Sequence, residues 1–209
     1  MKLTPKTPEE YLDITEHAVR HLYAGLASCR ARAEGAYEHW DISKLGQPRT
    51  PEYEKGLKNF LRLMEEYFDL KFSEGTFAGS IFQVAYMGIL YFSRNEEIPK
   101  SCAGIVPPQN KKAIRFCIGR EVYGLPLGLI IYAARNQYSH WDDEKLHPVA
   151  NNVFYYLSAA FHDNPIYDLA FEISNPTITI HANEILLGAL RWTTYDKYLS
   201  EMRDLLCTT

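Results

Sequence analysis

An all-α helical bundle is the fold this sequence predicts, on three observations. Apolar residues recur at helical spacing through its longest patterned stretches, Thr-Pro pairs stand where helices would begin, and Pro and Gly gather in short segments between the patterns. At 209 residues the chain can bury most of its apolar surface around one core without disulfides, so a single domain spanning 1–209 is expected, with long first and last helices.

The first helix starts within residues 7–40, where Thr7 is placed as an N-cap, Pro8 takes the first helical position and Glu10 follows three residues after the cap. Tyr11, Ile14, Ala18, Leu22 and Leu26 continue it at helical spacing. Thr50 and Pro51 repeat the device, and residues 50–72 carry Leu57, Phe60, Leu61, Met64 and Phe68 on one stripe, which predicts a second amphipathic helix. Residues 76–93 are apolar on nearly all sides, the pattern of a central helix.

Three prolines and no sustained period between 95 and 110 predict a long loop across the bundle surface. Helical character resumes at Lys111 and should break or kink at Gly124, Pro126 and Gly128, with a second half starting near Leu125. Pro148 can open a further helix, with His147 as its cap. Residues 164–181 leave a small β-hairpin near 167–180 and irregular chain equally open. A last helix over 182–206 would offer Ile185, Leu186, Leu190, Tyr198, Met202 and Leu205 to the core.

Composition narrows the function classes. A formal charge of −4 excludes binding of polyanions by overall charge, so a nucleic-acid site would have to be a local basic patch. Cys29, Cys102, Cys117 and Cys207 have no CxxC spacing and read as reduced core thiols. The N-terminus lacks the apolar core of a signal peptide, and no uninterrupted apolar stretch reaches membrane-spanning length. A cytoplasmic chain with no membrane partner is the expectation. Phosphate-loop, dinucleotide and serine-elbow motifs do not occur, and no cofactor is expected. His17 and His21, four apart on the first helix, could jointly reach a metal, but no neighbouring element supplies a third ligand and Ala18 stands where HExxH needs glutamate; no metal site is expected.

The chemistry-bearing stretch is "RNQYSHWDDEKLH", residues 135–147, directly after the apolar run "LGLIIYAA". Arg135 offers a guanidinium fork to phosphate oxygens, and the His140 imidazole can move a proton near neutral pH. In RNA the 2′-hydroxyl is an internal nucleophile, so a base and a cation could suffice without metal. Asn136 adds a neutral hydrogen bond, while Tyr138 and Trp141 offer flat faces for unpaired bases. Lys111, Lys112 and Arg115 could hold further phosphates, although a solvated helix face explains them equally simply. Arg135 and His140 also fit a plainer role, complementing the carbonyls at the end of a helix. Five residues apart on one helix, they would point about 140° away from each other. Either the helix ends inside the motif, or two protomers share the site through the 135–147 surface.

An Arg, a polar residue, three free positions and a His at the end of an apolar helix resemble the higher eukaryotes and prokaryotes nucleotide-binding (HEPN) superfamily. Its signature is Arg, four to six residues, then His. The resemblance covers six residues directly and implies a helical bundle, frequent homodimerisation with two motifs facing one groove, and metal-independent RNA cleavage in toxins or antiviral effectors. Arg135, Asn136 and His140 would be the catalytic residues, RNA the substrate, and an antitoxin or other regulatory protein a further partner. Asp142 stands where one toxin branch has the tyrosine that a nucleotidyltransferase antitoxin modifies, so that pairing is not implied. The alternative is a noncatalytic HEPN-like module that binds RNA, a nucleotide or a protein in the same groove.

Overall fold

The computed structural model describes residues 4–38, 50–139, 147–160 and 187–207. It is all-helical apart from one small antiparallel hairpin. Helix α1 (Pro8–Glu38) packs along α2 (Pro51–Phe92), which in turn contacts α4 (Leu127–Ser139) and the last helix, α6 (Tyr195–Cys207). The short α3 is Lys111–Ile114, and α5 (Pro148–Ala160) covers α4.

The predicted helix starts hold. Glu10 N–H donates to Thr7 Oγ1 at 3.2 Å and Tyr53 N–H to Thr50 Oγ1 at 3.1 Å, so each threonine satisfies an amide that the first helical turn leaves unpaired. His147 caps α5, its carbonyl accepting from Asn151 N–H at 3.0 Å.

The two helices expected over 50–72 and 76–93 are one helix of 42 residues, about 63 Å long at 1.5 Å per residue. Between them Ser73, Thr76 and Ser80 turn their hydroxyls onto the carbonyls four residues back, at 2.9–3.1 Å, instead of capping a new start. Glu74 is fully buried there. It accepts from the Arg30 guanidinium of α1 and from Lys71 Nζ at 2.8 Å, so the one charge that interrupts the apolar pattern is paired inside the α1–α2 contact.

The buried faces of both long helices differ from the predicted stripes. On α1, Leu12, Val19, Tyr23, Leu26 and Ala33 join Tyr11 in the core, while Ile14 and Ala18 face outward. On the first half of α2, Leu63 and Leu70 are buried and Leu61 and Phe68 are exposed. Beyond Gly75 the helix sinks into the core through Ala78, Ile81, Phe82, Ala85, Tyr86 and Ile89. By length and composition α2 contains an 18-residue window apolar enough to cross a membrane, contrary to the sequence expectation; half of that window is buried inside the fold.

Residues 95–110 are a loop with one 3-10 turn at Lys100–Cys102, but the loop does more than cross the surface. Cys102, Ile105 and Val106 are inserted into the core. Cysteine placement is mixed: Cys102 and Cys117 are buried free thiols, Cys29 is half-buried, and Cys207 is exposed with its Sγ 3.2 Å from Glu9 Oε1.

After α3 the expected helix is replaced by a hairpin. Strand β1 (Glu121–Val122) pairs with β2 (Leu125–Pro126), Val122 opposite Leu125. The loop residues Tyr123 and Gly124 have φ of 52° and 80°, the two positive values of a type I′ turn, which only Gly adopts without strain. Pro126 then ends the strand, and α4 starts at Leu127. The hairpin anticipated near 167–180 lies outside the described residues.

The long last helix is also interrupted. Trp192 N–H donates to Leu187 O and Arg191 N–H to Gly188 O, both at 2.9 Å, with Arg191 at φ 59°, the hydrogen bonds and left-handed residue of a Schellman stop. Thr194 starts α6, its Oγ1 accepting from Lys197 N–H at 3.4 Å. The break drops Trp192 into the core, stacked on Phe82 and edge-on to Tyr198. Leu190, Tyr198, Met202 and Leu205 are buried as the spacing predicts; Ile185 and Leu186 lie outside the described residues.

The tyrosines of this core give a pH prediction. Burial pushes the Tyr11 phenol up to about 12 and raises Tyr23, Tyr195 and Tyr198 as well. Because the folded state holds these protons more tightly than the unfolded chain, where tyrosine titrates near pH ~10, their contribution is fully present below that pH and is lost as pH rises through the folded values. The melting temperature should fall steeply between about pH 10 and 12. Tyrosinate absorbance should appear together with loss of helical circular dichroism; phenols that all titrate near 10 in the folded protein would contradict this.

Candidate phosphate-binding site

Arg135 sits in the last turns of α4, where that helix crosses α2, and its surroundings come from three separate parts of the chain. From α2, Gln83 Oε1 accepts the Arg135 Nε–H at 2.9 Å. The guanidinium carbon lies 4.8 Å from the Tyr86 ring centroid, a cation–π contact in a partly buried position. From α4 itself, Asn136 Oδ1 accepts from Arg135 Nη1 at 3.1 Å. From α3, Lys112 Nζ stands 5.4 Å from the same Tyr86 centroid. Two cations from distant segments thus converge on one aromatic ring, and among the described residues neither pairs with a carboxylate.

Tyr86 is positioned by aromatic packing on Phe116, at 4.7 Å between centroids, and on Tyr132 at 6.1 Å. Tyr132 also meets His147 at 6.0 Å, so the capped start of α5 borders the same cluster. Among the described residues, three buried polar atoms here have no hydrogen-bond partner: Tyr86 Oη, Asn136 Nδ2 and Gln137 Oε1. Buried polar groups are ordinarily bonded, and the Asn136 amide is oriented by the bond from Arg135, which leaves its N–H donors available. An anion placed between Arg135, Lys112 and Asn136 would meet two charges and a neutral donor, the combination that a phosphate oxygen favours.

The other predicted residues divide. Arg115 donates from Nη1 to Leu90 O at 3.2 Å, satisfying a carbonyl at the end of α2, so its guanidinium serves the fold. Lys111 is exposed on α3. Tyr138 is half-buried with its ring against α2 at Gly79, where any Cβ would collide with the ring; it packs α4 onto α2. Gly79→Ala should therefore push the end of α4 away, costing about 1–3 kcal/mol of stability, while an equally buried Ala78→Gly change should leave the α4 position intact. Equal thermal stability of Gly79→Ala and wild type would count against that packing role. His140 and Trp141 lie outside the described residues; α4 is described as helical up to Ser139.

Gln83 and Tyr86 escaped the sequence reading, and His147 was read only as a helix cap. Gln83 is the one polar interruption on the apolar run Ile81–Met87, a signal visible in the sequence but without a partner to give it meaning. His17 and His21 do meet, Nε2 to Nε2 at 3.1 Å, on the exposed side of α1, and among the described residues no group of three metal-ligating side chains forms. Compared with protein-family models, curated proteins and solved structures, the chain matches none, so the functional reading rests on these residues.

Proposed function

We propose that the chain is a metal-independent endoribonuclease of the kind the HEPN resemblance implies, acting in toxin or antiviral settings. The observation that supports it is the convergence of Arg135 and Lys112 on Tyr86, beside an Asn136 amide nitrogen that has no partner among the described residues, with His140 five positions after Arg135 in the chain. In this reading His140 takes the proton of a ribose 2′-hydroxyl and the 2′-oxygen attacks the adjacent phosphorus. The bond from phosphorus to the 5′-oxygen breaks, and that oxygen leaves with a proton. The products are a 2′,3′-cyclic phosphate and a 5′-hydroxyl. Arg135 stabilises the charge on the non-bridging oxygens as the phosphorus becomes crowded, and Lys112 and Asn136 hold the phosphate.

The engagement of Arg135 by Gln83 and its seat over Tyr86 favour a second reading, noncatalytic binding of RNA or a nucleotide, because a side chain held so firmly suits recognition as well as catalysis. One assay separates the two. Incubation of end-labelled RNA with the protein in chelator should yield fragments bearing cyclic phosphate ends; retention of intact RNA on the protein with no cleavage, with or without divalent ions, would establish the binding module instead.

A further inference from the structure

Among the described residues, the first half of α2 carries a concentrated run of exposed apolar side chains. Leu61 is 48% exposed, Phe68 53% and Phe72 58%, and with the half-buried Leu57 and Met64 they form one continuous stripe on the face turned away from α1. Their spacing of 57, 61, 64, 68 and 72 is that of a helix seam waiting for a partner. Solvated helix faces in soluble domains are polar, and an uncovered row of this kind marks an interaction surface.

The charges beside the stripe identify the partner. At 100° per residue, Lys58, Arg62, Glu65 and Asp69 all fall on one side of it, about 60–120° from its centre line. In chain order they read plus, plus, minus, minus. When two identical helices pack antiparallel about a two-fold axis, the same edge of each faces its counterpart with the order reversed. Lys58 and Arg62 of one copy then lie opposite Asp69 and Glu65 of the other, and the reciprocal pairs form at the same time. A parallel pairing would instead set this edge against the opposite edge of the stripe, which carries Phe60, Tyr67 and Lys71, and would leave Glu65, Asp69, Lys58 and Arg62 without these reciprocal pairs. A register shift of one turn would bring Glu65 opposite Glu65 or Arg62 opposite Arg62, so the charges select this register as well as the orientation. A surface depression of about 480 Å³ bordered by Lys58, Leu61, Arg62 and Glu65 follows this same edge.

We infer that this stripe is a homodimer interface, in which α2 of one copy packs antiparallel against α2 of a second copy around its Leu61–Phe68 segment. Burial of the apolar stripe supplies the affinity. The flanking charges, worth little individually at an exposed rim, select the antiparallel orientation and disfavour others. Arg62 is free to change partner, since its present bonds to Asn59 and Glu66 are 3.3 and 3.4 Å long and solvent-exposed. Phe68 lies 15 residues before Gln83, about 22 Å along the helix, so this dimer is distinct from one built on the 135–147 surface. It does not depend on the ribonuclease reading.

Analytical ultracentrifugation of the untagged full chain at micromolar concentrations tests it, with circular dichroism confirming that each variant is folded. Wild type should be dimeric, and Phe68→Asp should weaken association at least about thirtyfold, as removal of a central anchor does. The charge reversals decide orientation. Lys58→Glu with Arg62→Glu, and separately Glu65→Lys with Asp69→Lys, should each abolish the homodimer; mixing the two variants should restore a heterodimer, and combining all four changes in one chain should restore the homodimer. A monomeric wild type, a dimer indifferent to Phe68→Asp, or reversals that fail to rescue one another would each overturn the proposal.

Discussion

His140→Ala should lower RNA cleavage in chelator by at least about a hundredfold, the smallest factor that a positioned general base ordinarily contributes. Arg135→Ala should produce a loss of similar size. Arg135→Lys should not recover it, because an ammonium cannot donate to Gln83, Asn136 and a phosphate oxygen in the fixed fork that the guanidinium provides. Lys112→Ala belongs to a milder class, raising KM more than it lowers kcat if Lys112 holds the substrate equally in ground and transition states. The informative control is His147→Ala. His147 packs on Tyr132 at the border of the site, and its carbonyl, not its ring, caps α5, so the substitution should preserve the fold. Activity retained in His140→Ala and lost in His147→Ala would transfer the proton-moving role to the start of α5 and refute the assignment to the Arg-x4-His motif. Activity retained in both, and in Arg135→Ala, would refute the site.

Arg30→Met should destabilise the fold by about 3 kcal/mol, at the lower end of the cost of stranding a buried ion. Glu74 is fully enclosed between α1 and α2, and Arg30 is its partner from the opposite helix. Lys71 remains after the substitution, at 2.8 Å and from the same helix, so the carboxylate is not wholly abandoned. At roughly 2–4 °C per kcal/mol for a chain of this size, the melting temperature should drop by about 6–12 °C. Replacing both members, Arg30→Met with Glu74→Leu, should recover most of the loss, since an apolar pair of similar volume avoids desolvating the charges. A single Arg30→Met variant within about 0.5 kcal/mol of wild type, the range of ordinary surface changes, would show that the pair carries no such weight.

Much of the local structure was legible in the sequence because its causes are local. Thr7, Thr50 and Pro148 mark helix starts through bonds and dihedrals that involve only the next few residues. The Schellman stop at Arg191 was harder to see, since its usual marker, Gly, is absent there and Gly188 stands three residues early; Thr194, just beyond, was the surviving clue. Tyr123-Gly124 likewise is a turn signal of only half strength, and the helical reading of 111–141 concealed it. Periodicity found apolar stripes correctly but could not say which would be covered. On the first half of α2 it found Leu57, Phe60, Leu61, Met64 and Phe68, of which Leu61 and Phe68 are exposed and the other three half-buried, while the buried contact with α1 uses Leu63, Leu70 and the paired Glu74.

By itself, the sequence determined that the chain is helical, where α1, α2 and α5 begin, and that Arg135 and Asn136 fall near the end of an apolar helix. Tertiary structure alone decided what Arg135 touches. Gln83 and Tyr86 lie 52 and 49 positions away in the chain, and Lys112 is 23 positions away on a different helix. Their meeting depends on where α4 crosses α2, and at that crossing the Tyr138 ring packs against Gly79, where a side chain would hold it off. Such a contact is governed by the shapes of two surfaces in space, which residue spacing along either helix does not encode.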